Sequence, residues 1–135
     1  MNFVILDTNV IVSALLTNNK ESPPSIILEK VYKGKIKLVY NGYIINEYIE
    51  VLKRRKFKIK NEVIESLITV IYREGVFINP LSYLGSLIDE KDRMFYETFL
   101  SVNYYGCYLI TGNLKHFPKD KFILSRREYI NLFIN

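Results

Sequence analysis

The chain has 135 residues, 49% of them hydrophobic and 24% charged, and its 19 Lys and Arg outnumber 14 Asp and Glu for a net charge of +5. That length holds one sizeable core, and the composition is globular rather than disordered or fibrous, so residues 1–135 are expected to form a single domain. No apolar run approaches the roughly 20 residues of a membrane helix, Asp7 interrupts any leader-like start, and one cysteine makes no internal disulfide, so a cytoplasmic chain without a membrane partner is expected.

In "NFVILDTNVIVSALL" the apolar, β-branched run from Phe3 to Leu6 predicts a strand buried on both faces, and Val10 to Leu16 continues with helical spacing. Asp7, Thr8 and Asn9 stand between the two. Such residues cap helix N-termini, so Asp7 is either a cap or a functional carboxylate. Pro23 and Pro24 open a second helix through Tyr32, which Gly34 ends, and "KIKLVY" reads as a short strand. After Asn41 and Gly42, apolar residues at 44, 45, 48, 49 and 52 repeat with helical spacing. This third helix ends in "KRRKFKIK", where six of eight positions are Lys or Arg. A helix over 61–73 precedes the strand "VFINP", which Pro80 closes. Residues from Glu90 to about Tyr104 read as helix, "CYLIT" as an apolar strand, and a Ser125-capped helix runs through Phe133.

Strands alternating with helices predict a three-layer α/β/α domain around a mostly parallel sheet. Such sheets take their ligands beyond the C-terminal ends of the strands, and Asp7 and Asn113 both fall just past such ends. Glu47 lies beside the apolar face of the third helix, where an unpaired carboxylate is costly, whereas Glu50 one turn on reads as solvated. Asp89 has a structural role as N-cap of the helix that follows. Asp92 either compensates the dipole of that helix or belongs to a site. Carboxylates converging from a strand end and two helices repel one another unless a hard cation neutralises them, and Mg²⁺ or Mn²⁺ fits because both take oxygen ligands.

The segments "ILDTNVIVSAL", "EYIEVLKRRKF", "DEKDRMFYETFL" and "YLITGNLKHFP" resemble, in order over nearly the whole chain, the motif series of PIN-domain proteins, specifically VapC-type toxin ribonucleases. The resemblance implies a metal-dependent endoribonuclease that cleaves single-stranded RNA, with Mg²⁺ or Mn²⁺ bound by Asp7, Glu47 and Asp92 and with Asn113 completing the catalytic set. Many relatives carry Asp at that last place. The amide of Asn113 can bond a metal-bound water but adds no charge, so one ion is expected rather than two. Thr8, Asn9 and Thr111 would orient Asp7 and the waters, a role their hydroxyl and amide chemistry permits. An antitoxin protein is the implied partner, and the apolar second and third helices either pair with it or with a second copy of the chain in a homodimer, as in this family, or are plain core.

The cations can be read in two ways. Lys53, Arg54, Arg55, Lys56 and Lys115 are expected to meet RNA phosphates, while a solvated helix end accounts equally well for the run. His116, the single histidine, is placed by the resemblance beside the site rather than in it and reads as structural or RNA-facing. Tyr32, Tyr48 and Tyr72 occupy apolar helical positions and are expected in the core, as is Cys107, while Tyr43, Tyr83, Tyr104 and Tyr105 stay open for base stacking. Two other functions compete. A phosphatase of the haloacid-dehalogenase type also opens with a strand ending in Asp, but it needs a second Asp two residues on, where this chain has Asn9. A catalytically degenerate PIN-like RNA-binding or scaffold protein accommodates the basic run and Asn113, and Asp7, Glu47 and Asp92 speak against it.

Overall fold

A computed structural model describes residues 2–133, apart from the side chain of Tyr104, so the question left open for that tyrosine lies outside the described residues. The elements in chain order are β1 (Asn2–Leu6), α1 (Thr8–Leu16), α2 (Pro23–Tyr32), β2 (Ile36–Tyr40), α3 (Gly42–Leu52), α4 (Asn61–Glu74), β3 (Val76–Phe77), α5 (Arg93–Val102), β4 (Tyr108–Thr111), β5 (Ile123–Ser125) and α6 (Arg126–Phe133). Short 3₁₀ turns occupy Arg55–Phe57, Glu90–Asp92, Asn103–Tyr105 and Leu114–His116.

The strands form one sheet in the order β3-β2-β1-β4-β5, and every pairing in it is parallel. Val4, Ile5 and Leu6 of the central strand are all buried. Because successive strand side chains point to opposite faces, both faces of the sheet are covered, which is the α/β/α layering expected from the alternating pattern. Helix α5 packs on β1 and β4, α2 and α4 pack on β2, and α6 packs on β4 and β5. Since all strands run the same way, their C-terminal ends share one edge. The chain winds one way from β1 to β2 and resumes on the other side of β1 with β4, so the crevice of this sheet lies between the ends of β1 and β4.

Local chemistry accounts for the element ends. Ser22 caps α2 through the Ser25 amide, with Pro23 in the first turn, and Gly34 at φ 74° lets the chain leave that helix. Asn41 starts α3 by accepting the Ile44 amide (3.1 Å), and its own amide donates to Thr98 Oγ1 of α5 (2.8 Å). This buried asparagine fixes α3 against α5. Tyr48 is fully buried on α3, and its hydroxyl donates to the Leu6 carbonyl at 2.5 Å, tying that helix to the end of β1 as well. Ser125 and Glu128 form a reciprocal capping box at the start of α6.

Four details depart from the sequence expectations. The strand expected over 76–80 narrows to Val76–Phe77. The helix expected from Glu90 opens as a 3₁₀ turn and becomes α-helical at Arg93. Strand β5, not anticipated, is three residues long, too short for a period of two to show. Tyr32 and Tyr72 are 39% and 57% exposed rather than core residues. Each directly follows a buried residue, Val31 and Ile71, and one residue is a rotation of about 100° away from the buried stripe. Cys107 does lie in the core, where burial pushes its thiol up to about 12.

Candidate metal centre

Asp7 occupies the N-cap position of α1, but its carboxylate makes no capping bond. The backbone carries that geometry, with the Val10 amide donating to the Asp7 carbonyl at 3.0 Å. The carboxylate turns instead toward β4. Its Oδ2 accepts the Thr111 hydroxyl at 2.7 Å and the Asn9 amide at 3.4 Å. Thr111 Oγ1 in turn accepts the Asn113 amide at 2.9 Å, and Asn9 Oδ1 accepts the Gly112 amide at 2.9 Å. A Cβ on Gly112 would stand 3.1 Å from Asn9 Oδ1, tighter than an ordinary contact, so a side chain there would press on the asparagine. Sheet register supplies the rest, since Leu6 pairs with Ile110 and the Asp7 amide donates to the Ile110 carbonyl.

Burial raises the Asp7 carboxyl to about 6, against the opposing hydrogen bond from Thr111, and the charges of Asp92 and Glu47 push it in the same direction as burial. Glu47, half-buried on α3, is raised by desolvation and by the charges of Glu50 and Asp92, with Arg54 and Lys91 pulling the other way. Asp92, buried where the 3₁₀ turn passes into α5, is raised first by desolvation and then by the charge of Asp89, while His116 lowers it. Three carboxylates from a strand end, a helix and a turn thus stand within electrostatic reach of one another.

His116 Nδ1 lies 3.1 Å from Asp92 Oδ2. Asp89 caps the 3₁₀ turn through the Lys91 amide at 3.0 Å, so the cap expected of it is made, on a turn rather than on an α-helix. Ligand atoms of Asp89, Asp92 and His116 all lie within 4.8 Å of one another, a spacing that Asp7, Glu47 and Asp92 do not all meet. The resemblance puts His116 beside the site, and what the sequence did not indicate is its partner there, Asp92. The available signal was the shortness of the step from "TGN" to "KH", which a single turn folds back: the His116 amide donates to the Asn113 carbonyl at 2.9 Å.

The other expected residues divide. Thr111 and Asn9 touch Asp7, whereas the buried Thr8 hydroxyl has no partner among the described residues. Asn113 is exposed at the head of the Leu114–His116 turn, and its side chain makes no capping bond. Lys53, Arg54, Arg55, Lys56 and Lys115 are all exposed, and of these Arg54 is placed to lower the Glu47 carboxyl. Tyr43 and Tyr105 are exposed, while Tyr83 packs edge-on against Tyr96 at 4.9 Å. Apart from the His116 imidazole the donors are hard oxygen, Asp7 is destabilised as an anion by Asp92 and Glu47, and the buried Thr8 hydroxyl next to it has no partner among the described residues. Those features fit a hard divalent cation that keeps several of its own waters.

A family model described as PIN domain matches residues 3–115. No curated protein and no solved structure matches the chain.

Proposed function

This chain belongs to the PIN-domain family, whose members are in general metal-dependent nucleases, and from that premise we propose that it is an endoribonuclease of VapC type, the toxin of a toxin–antitoxin pair, cutting single-stranded RNA. The observation that supports this reading is the charge coupling at the crevice of a parallel sheet, where the charges of Asp92 and Glu47 raise the buried Asp7 carboxyl and that of Asp92 also raises Glu47. In the proposal these three hold Mg²⁺ or Mn²⁺. When bound, such an ion polarises the scissile phosphodiester, lowers the pKa of an attacking water and neutralises charge on the leaving oxygen.

The chain's own residues do the rest. Thr111 and Asn9 hold Asp7 Oδ2, which fixes the direction of the carboxylate. The exposed amide of Asn113 orients water at the rim without adding charge, so the site takes one ion. Arg54, Arg55, Lys56, Lys53 and Lys115 hold the RNA backbone, giving affinity with little sequence information. An antitoxin protein and a second copy of the chain are the proposed protein partners, residues 1–135 the single catalytic domain, and the cytoplasm its place of action. No helix among the described residues is long and apolar enough to cross a membrane.

The test is cleavage of single-stranded RNA with Mn²⁺ or with chelator, on the wild type and on Asp7→Asn, Glu47→Gln and Asp92→Asn. Each substitution is expected to lower the rate by at least about 100-fold, as loss of a metal ligand should, without loss of cooperative melting. Near-wild-type, metal-dependent cleavage by any variant removes that residue from the centre. The departure from Asp at Asn113 favours one rival, a PIN-like RNA-binding or scaffold protein without turnover, and RNA binding with no cleavage in Mn²⁺ would establish it.

A further inference from the structure

The hydrogen bond between His116 and Asp92 joins two parts of the centre that the fold otherwise leaves separate. Asp7 is anchored through Thr111 and Asn9 to the loop after β4, and Asp92 stands on another segment at the start of α5. His116 lies on the 3₁₀ turn that continues from that loop. Its backbone is held at one end by the Asn113 carbonyl. At the other end the next residue, Phe117, is 7% exposed with its ring 6.4 Å from that of Tyr96 on α5. The backbone that carries this imidazole is thus held on both sides of it.

With Asp92 ionised, the proton of this contact resides on Nδ1, and Nδ1–H donates to Oδ2. Among the described residues no donor reaches Asp92 Oδ1, and Asp92 makes no side-chain capping bond to α5. One oxygen is occupied and the other is free for a ligand. Resting on the metal-centre reading above, we propose that His116 is a positioning residue. It holds Asp92 Oδ2 so that Oδ1 is presented toward the cation, and it locks the loop bearing Asn113 to the helix start bearing Asp92. His116 does not itself ligate the ion or move a proton.

The role differs from ligation in ways that metal binding reads directly. Outer hydrogen-bond partners of ligands typically contribute about 10- to 100-fold in metal affinity. Titration calorimetry of the full chain with Mn²⁺ alone and with Mg²⁺ alone is therefore run on wild type, His116→Ala, His116→Asn, His116→Gln, Asp92→Asn and the Asp92→Asn/His116→Ala double variant, with melting in chelator as the folding control. His116→Ala should weaken both ions by about 10- to 100-fold and in the same proportion, because the effect passes through a carboxylate both share. His116→Asn, whose amide nitrogen falls where Nδ1 was, should return affinity to within about threefold of wild type. His116→Gln carries its amide out to the Nε2 position and should behave like alanine. In the Asp92→Asn background, adding His116→Ala should change nothing further.

Unchanged affinity in His116→Ala overturns the proposal and leaves the metal centre standing. A loss much larger for Mn²⁺ than for Mg²⁺, with no rescue by asparagine, makes His116 a ligand and also overturns it, since imidazole favours the softer ion. Failure of the wild type to bind either ion removes the metal centre and this inference together. Where His116→Ala does not melt cooperatively, the contrast between the asparagine and glutamine variants decides the matter alone.

Discussion

The Asp7 and Asp92 carboxylates are both buried, yet they are held in different ways. Asp7 stands one residue past a central strand, and its neighbour in the sheet supplies its hydrogen-bond donor, Thr111, at 2.7 Å. Asp92 stands where a 3₁₀ turn becomes a helix, and its one protein donor among the described residues is a partly exposed imidazole at 3.1 Å. A carboxylate at a strand end inherits its geometry from backbone register. The Asp92 carboxylate, on a turn, instead takes its hydrogen bond from a side chain 24 residues away in sequence.

The broadest way to break this contrast is to titrate it. Asp7 has a folded value of about 6 against 3.8 for a free carboxyl, so folding favours its protonated form. That stability is fully present below about pH 4 and is lost as pH rises through about 6, a loss of up to about 3 kcal/mol at 1.36 kcal/mol per pKa unit. The raised Glu47 and Asp92 carboxyls act in the same direction. In chelator the protein should therefore melt higher at pH 5 than at pH 7, and Asp7→Asn should melt higher than wild type at pH 7 with a flatter profile. A metal-free melting temperature that is level between pH 5 and 7 would mean that Asp7 is solvated.

A smaller effect separates the two corners directly. Thr111→Val keeps the shape but removes the donor to Asp7 and the acceptor of the Asn113 amide, both buried or partly buried, and should destabilise the metal-free chain by about 1–3 kcal/mol. His116→Ala, at a side chain 35% exposed, should lower metal-free stability by less than about 1 kcal/mol. Equal losses in denaturant unfolding would erase the distinction between a corner set by register and one set by a side chain.

The contrast legible in the molecule was only half legible in the sequence. Strand β1, its termination at Asp7 and the strand ending at Thr111 were readable because a short, continuous β-branched run broken by polar residues is the pattern of a strand buried on both faces. Whether the Asp7 carboxylate caps was not readable, since an N-cap and a ligand need the same residue type at the same place; the Thr111 hydroxyl, far along the chain, is what it meets instead of the helix. The Asp92 corner was read as helix. Asp89 caps its 3₁₀ turn, and the local turn that folds His116 back is seated against α5 by the Phe117 ring on Tyr96, a contact that carries no periodicity. The misplaced Tyr32 and Tyr72 show the same limit, because helical spacing marks a face without marking its edge.

The third corner sharpens the picture from outside. The charge of Arg54 lowers the Glu47 carboxyl, which places the start of the basic run within electrostatic reach of that residue. Changing Arg54, Arg55 and Lys56 together to Gln should weaken RNA binding and reduce its salt slope by about 2, at roughly 0.7 per lost phosphate contact on a single strand, without moving the cut sites. An unchanged slope would make the run a solvated helix end. The smallest effect is expected at Asp89. Asparagine accepts the Lys91 amide as well as aspartate does, so Asp89→Asn should keep RNA cleavage within about twofold. A large loss there would enlist Asp89 with Asp92 in the centre.

Placing the first strand in the middle of the sheet has a consequence in time. Thr111 meets Asp7 across 104 residues, and β1 can pair with β2 long before β4 exists. Such a non-local closure gives up chain entropy before any contact rewards it, which makes it a late and slow event in folding. Until then β1 keeps an open edge and Asp7 lacks the hydroxyl that aims it. The Asp7 corner thus needs a segment that is made late in synthesis. A chain interrupted before β4 carries the aspartate without the arrangement that gives it use, so the order of synthesis itself postpones whatever chemistry the centre performs.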